Sequence, residues 1–200
     1  VYIPIDKIIE KYQIPVSGVI HIGAHYGEEY LNYIQQGIFN LHFFEASRRT
    51  FLKLRSMVGC SSCYNFALGA VESMAVLHVE TRNEGQSNSL LKPLLHTKQY
   101  PQIVFNETEE VQVYPLDSFQ IEGCNFLNID VQGFELEVLK GSKKTLRGVN
   151  YIYSEVNRAE TYENCAQIGD MDEFLLFNGF NRVETIWSGG IWGDALWIRE

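Results

Sequence analysis

Several short segments place side chains capable of chemistry at suggestive spacings. Gly23-Ala24-His25-Tyr26-Gly27-Glu28-Glu29 sets two glycines among polar residues. Glycine lets the backbone turn sharply and pass close to a ligand where a helix begins. Glu45 follows about twenty residues beyond that loop, as in nucleotide-binding sheets, where a carboxylate accepts hydrogen bonds from vicinal ribose hydroxyls. Asn65-Phe66-Ala67-Leu68 offers small and amide side chains able to frame an adenine. Asp130-Val131-Gln132-Gly133-Phe134-Glu135 and Glu155 supply carboxyl groups for proton transfer.

Each segment follows a run that reads as a buried strand: 19–22, 41–44, 62–66, 125–129 and 151–156. In open α/β sheets, ligands bind beyond the carboxyl ends of the strands. Helical patterns alternate with these runs. Ile5, Ile8, Ile9 and Tyr12 share a face over 3–12, with Pro4 suited to a first turn. A helix over 28–36 turns Tyr30, Leu31 and Ile34 inward and stops at Gly37, and one over 50–58 turns Phe51, Leu54 and Val58 inward. A further helix covers 134–140. Another is opened by Asp170, with Glu173 three residues on as in a capping box, and ends at Gly179. Residues 75–79 read as a fourth strand. Residues 180–187 and 195–199 read as two strands joined by Ser188-Gly189-Gly190, a connection too short for a crossover, so this pair is antiparallel. The alternation predicts a largely parallel sheet covered on both faces. Residues 81–110 are polar and aperiodic, and read as a long loop or lid.

The 200 residues form a single expected domain, with 1–17 as a helical extension; starting at Val1, the chain is either processed or excised from a longer protein. Composition is that of a globular protein, with 46% hydrophobic and 20% charged residues. A net charge of −9 argues against nucleic acid or an anionic membrane as partner, and no apolar run is long enough to span a bilayer. Four cysteines without a leader-like start point to reduced thiols and a cytoplasmic setting. Cys60 and Cys63 form a C-x-x-C, but Cys124 and Cys165 offer no second pair, so a zinc site is not expected. His21 and His25 lack the helical geometry of a metal-binding pair, and Asn106-Glu107-Thr108 is a chance sequon. The glycine loop reads G-x-x-x-G, so the dehydrogenase fingerprint is incomplete, and Lys140-Gly141-Ser142-Lys143 lacks the glycine spacing of a phosphate-binding loop.

Together these segments resemble the FkbM family of S-adenosylmethionine-dependent methyltransferases. N-I-D-V-Q-G-F-E-L-E-V-L-K-G at 128–141 carries most of the resemblance. It is supported by V-I-H-I-G-A-H-Y-G at 19–27, F-F-E-A-S at 43–47, N-F-A-L-G at 65–69, S-N-S-L-L at 87–91 and P-L-D-S-F at 115–119. The resemblance implies an α/β class I methyltransferase fold, a Rossmann-like three-layer sandwich whose seven-stranded, mostly parallel sheet ends in an antiparallel C-terminal hairpin. It implies S-adenosylmethionine as cofactor and S-adenosylhomocysteine as product, no metal, and methyl transfer to an oxygen. His21 stands where the family usually has Asp, and His25 where Asn is common.

On this reading the cofactor is held by Gly23, Ala24, His25, Tyr26, Gly27 and Glu28. Glu45, Ala46 and Ser47 contribute at the second strand end, Asn65 and Ala67 at the third, with Ser89 and Asp130 beyond. Neutral alcohols are poor nucleophiles, so a base is expected. Asp130 is the first choice, in parallel with a role in anchoring the cofactor's amino group, and Glu155 and His25 are reserves. Asn88, Gln132 and Trp192 are expected to touch the acceptor; an aromatic face such as Trp192 stacks on sugar C–H surfaces. Glu135 is expected to support the loop after Asp130, and Glu137 to face water. The leading expectation is O-methylation of a sugar hydroxyl in a glycan or glycoconjugate. The alternatives are a small hydroxylated metabolite as acceptor, or a non-catalytic binding module of the same fold.

Overall fold

The computed structural model describes residues 3–59, 62–188 and 190–200. Six helices and ten strands alternate along it. Helix α1 (Ile5–Tyr12) leads to β1 (Val19–Ile22), α2 (Tyr30–Gln35), β2 (Leu41–Phe44), α3 (Arg48–Val58) and the two-residue strands β3 (Cys63–Tyr64) and β4 (Ala67–Leu68). Then come β5 (Ser73–Glu80), α4 (Leu95–Gln99), β6 (Phe105–Tyr114), β7 (Phe126–Ile129), α5 (Glu135–Lys140) and β8 (Tyr151–Asn157). Helix α6 (Ile168–Phe177), β9 (Phe180–Ser188) and β10 (Trp192–Arg199) close the chain.

Seven strands form one sheet in the order β3-β2-β1-β7-β8-β10-β9. The first five run parallel, and β10 lies antiparallel between β8 and β9. The chain winds outward from β1 to β3 and then returns to β7 on the other side. The switch point therefore falls between β1 and β7, where a crevice opens at the carboxyl ends.

Strand alternation divides the core into two layers. Ile20, Ile22, Leu127, Ile129, Ile152 and Trp197 pack on one face. Val19, Phe43, Phe126, Tyr153 and Leu196 pack on the other, beneath α1, α2 and α3. Burying each of these large side chains contributes about 1.5–3 kcal/mol. His21 and Asn128 lie side by side in the β1–β7 register on this second face. Tyr33 of α2 is buried above them and joins both: Asn128 Nδ2 donates to Tyr33 Oη at 2.8 Å, and His21 Nδ1 lies 3.3 Å from the same oxygen.

Four details differ from the sequence expectations. Residues 75–79 belong to no parallel strand. β5 pairs antiparallel with β6, and β6 pairs with β4, in a separate three-stranded sheet. The stretch 81–110 accordingly contains α4 and the first half of β6, whose glutamates hide its pairing from any hydrophobic periodicity. Leu31 is 60% exposed and Tyr33 is the buried residue of α2, because the helix begins at Tyr30 and its inward stripe is displaced. Helix α6 opens three residues early: Gln167 is the cap, and Asp170 is the reciprocal partner that accepts from the Gln167 amide. Cys60 and Gly189 lie outside the described residues. Cys63 is partly buried, whereas Cys124 and Cys165 are buried. No helix among the described residues is long and apolar enough to cross a membrane.

Candidate active site

A cavity of about 590 Å³ lies at the carboxyl ends of β1, β2, β7 and β8, and residues 77–103 form part of its wall. That volume suits a small-molecule ligand.

The loop after β1 is shaped by backbone contact. Gly23 has φ +77°, and a Cβ there would sit 1.8 Å from the Asp130 carbonyl oxygen. The close approach expected of this glycine is therefore to the loop after β7, which it brings alongside the cavity. Gly23 and Ala24 both donate their amides to the Phe44 carbonyl, so the ends of β1, β2 and β7 are tied together. His25 is left-handed, with φ 45°. Its Nδ1 lies 2.7 Å from Glu28 Oε1 and its Nε2 3.1 Å from the Glu84 carbonyl. With a carboxylate on one nitrogen and a carbonyl on the other, the setting favours the protonated ring. Burial lowers the His25 pKa, but the Glu28 and Glu84 hydrogen bonds outweigh it and leave it raised.

Glu45 is buried at the end of β2. Its Oε2 accepts from the His25 amide at 3.0 Å and its Oε1 from the Ser47 amide at 2.9 Å. Each oxygen keeps a lone pair, which leaves room for two further donors from the cavity. Asn65 Nδ2 donates to the carbonyls of Glu45 and Ala46 and so fixes that strand end. Burial pushes the Glu45 carboxyl up to about 7.

Gln132 organises the opposite wall. Its φ is 55°, followed by Gly133 at φ 100°, which folds the amide back across the strand ends. Gln132 Nε2 donates to Asp130 Oδ1 at 2.7 Å and to Glu155 Oε2 at 2.8 Å, and its Oε1 accepts from Tyr162 Oη at 2.7 Å. Glu135 Oε1 accepts from the Val131 and Gly133 amides, so it supports this loop as expected. Glu137 instead pairs with Lys140 on the helix surface.

Oxygens of Asp130, Glu135 and Glu155 lie within 4.8 Å of one another, a spacing a cation could bridge. Gln132 and two backbone amides already donate into the trio. Burial raises all three groups, Glu135 to about 7 and Glu155 well above its ordinary range; the charge of Asp130 adds to the rise of both glutamates, and that of Glu29 to the rise of Asp130, against the lowering Gln132 hydrogen bond. His21 is driven the other way, to about 4, because burial disfavours its charge.

Of the residues named from sequence, Gly23, Ala24, His25, Glu28, Glu45, Ala46 and Ala67 line the cavity, and so do Asn88, Asp130, Gln132, Glu155 and Trp192. Tyr26, Gly27, Ser47, Asn65 and Ser89 do not. Tyr26 stacks on His25, and a Cβ on Gly27 would press on Leu54 and Val58 of α3. The Ser89 hydroxyl donates to the Gln132 carbonyl at 2.7 Å. These five residues hold the wall rather than face the space. Both ring nitrogens of His25 are engaged, one by Glu28 and one by the Glu84 carbonyl.

Glu80 and Tyr162 are not among the residues the sequence singles out, and Glu29 enters there only as the end of the glycine loop. Glu80 ends β5 and accepts from the amides of Arg82, Asn83 and Gly85, shaping the loop whose Glu84 carbonyl meets His25. An acid just before T-R-N-E-G was the available signal. Glu29 lines the cavity and is raised by burial to about 7. Tyr162 reaches Gln132 from a distant segment, and no local pattern announces it.

A family model described as "Methyltransferase FkbM domain" matches residues 21–182. NoeI of Sinorhizobium fredii, described as a 2-O-methyltransferase, is 32% identical over 81 residues. That alignment covers 38% of this chain and 33% of NoeI, so the chain spans about a third of that relative's length. Among solved structures, a methyltransferase FkbM from Methylobacillus flagellatus superposes with TM-score 0.61 at 14% identity, covering 91% of this chain and 43% of the other. Magnesium protoporphyrin IX methyltransferase from Synechocystis, solved with bound S-adenosylmethionine, gives TM-score 0.55 at 10% identity over 98% and 76%. At such identities these structures establish a shared fold.

Proposed function

Since this chain belongs to the methyltransferase FkbM domain family, we propose that it transfers the sulfonium methyl of S-adenosylmethionine to a hydroxyl of a sugar in a glycan or glycoconjugate. The observation that carries this reading is the pairing, in one cavity, of a buried carboxylate with free lone pairs at the β2 end and an amide-bridged carboxylate pair at the β7 and β8 ends.

The cavity fits the cofactor's charge. Glu28, Glu29, Glu45, Asp130 and Glu155 line it, and no lysine or arginine among the described residues does. Such a wall favours a ligand bearing a sulfonium and an ammonium. Glu45 would accept from the ribose hydroxyls, and Ala46, Phe66 and Ala67 would flank the base. Once bound there, S-adenosylmethionine supplies a methyl already activated by its positive sulfur. The protein's remaining tasks are alignment and removal of one proton. Asp130 takes that proton from the acceptor hydroxyl. Gln132 holds the Asp130 carboxylate in place and bridges it to Glu155, whose pKa is raised by burial and by the neighbouring carboxyls. Transfer to oxygen is supported by the likeness to NoeI, a 2-O-methyltransferase, and a sugar acceptor by Trp192 in the cavity wall.

Calorimetric titration with S-adenosylhomocysteine tests the cofactor site. Wild type is expected to bind and Glu45→Ala to lose most of its affinity, whereas Asp130→Asn retains binding and loses turnover. Wild type without affinity at millimolar ligand overturns the reading.

A further inference from the structure

At the β8 side of the cavity, two lining residues hold buried polar atoms that no group in the structure satisfies: His96 Nδ1 and Thr161 Oγ1. His96 is 5% exposed and Thr161 2%. Most buried polar groups in folded proteins have partners, so two exceptions on residues that line one cavity call for an explanation.

Both side chains are fixed by their surroundings. The Thr161 carbonyl accepts from the amides of Leu94 and His96, which docks α4 onto the segment after β8. His96 Nε2 lies 3.1 Å from Ser87 Oγ, and the ring packs between Tyr100, Phe105 and Tyr162. Burial lowers the His96 pKa, so its free nitrogen presents a neutral hydrogen-bonding atom. Beside them, Trp192 Nε1 donates to Tyr100 Oη at 2.9 Å, which pins the indole at the cavity wall. The neutral polar atoms thus sit next to a held aromatic face, on the Glu155 side of the cavity and away from Glu45.

We propose that His96 Nδ1 and Thr161 Oγ1 bind hydroxyl groups of the acceptor that flank the one to be methylated, with an apolar ring face of the acceptor resting on Trp192. The pattern selects a neutral polyhydroxylated ring: hydroxyls both donate and accept, as a threonine hydroxyl and a neutral imidazole require. A charged acceptor gains nothing from these atoms. This assignment rests on the methyltransferase reading and adds the residues that choose the acceptor.

The test uses Thr161→Val, Thr161→Ser and His96→Gln; glutamine reproduces the Nε2 contact with Ser87 and lacks Nδ1. Saturation-transfer NMR with methyl glycosides of neutral hexoses, in the presence of S-adenosylhomocysteine, reads acceptor binding. Calorimetry reads the cofactor analogue, and thermal melting reads the fold. Thr161→Val and His96→Gln are expected to keep S-adenosylhomocysteine affinity within about twofold and to weaken glycoside binding about tenfold or more, with Thr161→Ser restoring it. Melting of Thr161→Val should be unchanged or higher, since an apolar isostere replaces an unpaired hydroxyl. A clear fall in its melting temperature with glycoside binding intact makes the hydroxyl structural and overturns the proposal. Wild type that binds S-adenosylhomocysteine but none of the glycosides overturns the acceptor class, whereas failure to bind the analogue at all strikes the methyltransferase reading itself.

Discussion

Gln132 donates its amide to Glu155 across 2.8 Å, joining the end of β7 to the end of β8 with the same nitrogen that holds Asp130. One neutral side chain thereby lets the exposed Asp130 carboxyl and the buried Glu155 carboxyl share a wall. Truncating it exposes each to the other's charge. In Gln132→Leu the pKa values of the pair are expected to rise further, moving the acidic limb of the turnover–pH profile upward and lowering kcat by roughly 10–100-fold. S-adenosylhomocysteine affinity should change much less than kcat. An unshifted profile would show that the bridge does not tune the base.

Glu45 answers to a different measurement. Its carboxylate already satisfies the His25 and Ser47 amides. Glu45→Gln preserves one acceptor oxygen, whereas Glu45→Ala abandons both amides and the cavity. Charged hydrogen bonds contribute about 1.5–3 kcal/mol each, so calorimetry should register about a tenfold or greater loss of analogue affinity in Glu45→Ala. Glu45→Gln should fall between that variant and wild type.

Stability should decline as pH rises through neutrality. Glu45 and Glu135 are held near 7 by burial against an ordinary 4.5, and Asp194 near 7 against 3.8. Between those values the folded protein keeps protons that the unfolded chain has released, so each group stabilises at low pH and its contribution is lost on approaching its folded pKa. A shift from 4.5 to about 7 corresponds to roughly 3 kcal/mol at most. His25, raised above 6.5, acts in the same direction. His21 opposes, because an imidazole lowered to about 4 gains stability as pH rises from about 4 to 6.5. His42 and His96, also lowered by burial, oppose in the same way, but these gains fade within about one unit above 6.5, where the unfolded imidazoles lose their protons, and the carboxyl contributions outweigh them. Calorimetric melting should therefore show lower stability at pH 8 than at pH 6.5, and a rise across that interval would refute the assignment.

Two glycines with similar dihedrals should differ sharply. Gly23→Ala drives a Cβ into the Asp130 carbonyl and must part the β1 and β7 loops, at an expected cost above about 3 kcal/mol. Gly37 has φ +75° with no atom within 4 Å of an added Cβ, so Gly37→Ala should cost only about 1–2 kcal/mol. Urea midpoints separate the two, and equal losses would contradict the crowding argument.

Chelation should leave turnover unchanged. Although Asp130, Glu135 and Glu155 are spaced for a cation, their oxygens receive the Gln132 amide and two backbone amides. Activity lost in EDTA and restored by one divalent ion would show that the bridge gives way to a metal.

Much of this site could be read along the chain. Short apolar runs alternating with helical stripes are local signals, and they located β1, β2, β7 and β8 with the polar segments that follow them. The brief connection after β9 required the antiparallel hairpin. Loops at the carboxyl ends of such strands converge wherever the sheet reverses direction, so Gly23, Glu45, Asp130 and Glu155 could be grouped before any coordinates. Contacts between remote segments carried no comparable signal. The β4-β6-β5 sheet depends on pairing a glutamate-rich strand with partners far away in sequence. Nothing local shows that His25 meets Glu28 and the Glu84 carbonyl, or that the Ser89 hydroxyl meets the Gln132 carbonyl. Tyr33 and Tyr162 act through hydrogen bonds to remote segments, and Glu80 through three amides of the loop that follows it. Sequence alone determined the order of the elements and the strand ends that bear the chemistry, because periodicity and turn propensity are local. Tertiary structure alone decided which of those side chains face the cavity and which brace its wall, because hydrogen-bond partners are chosen only when distant segments are packed together.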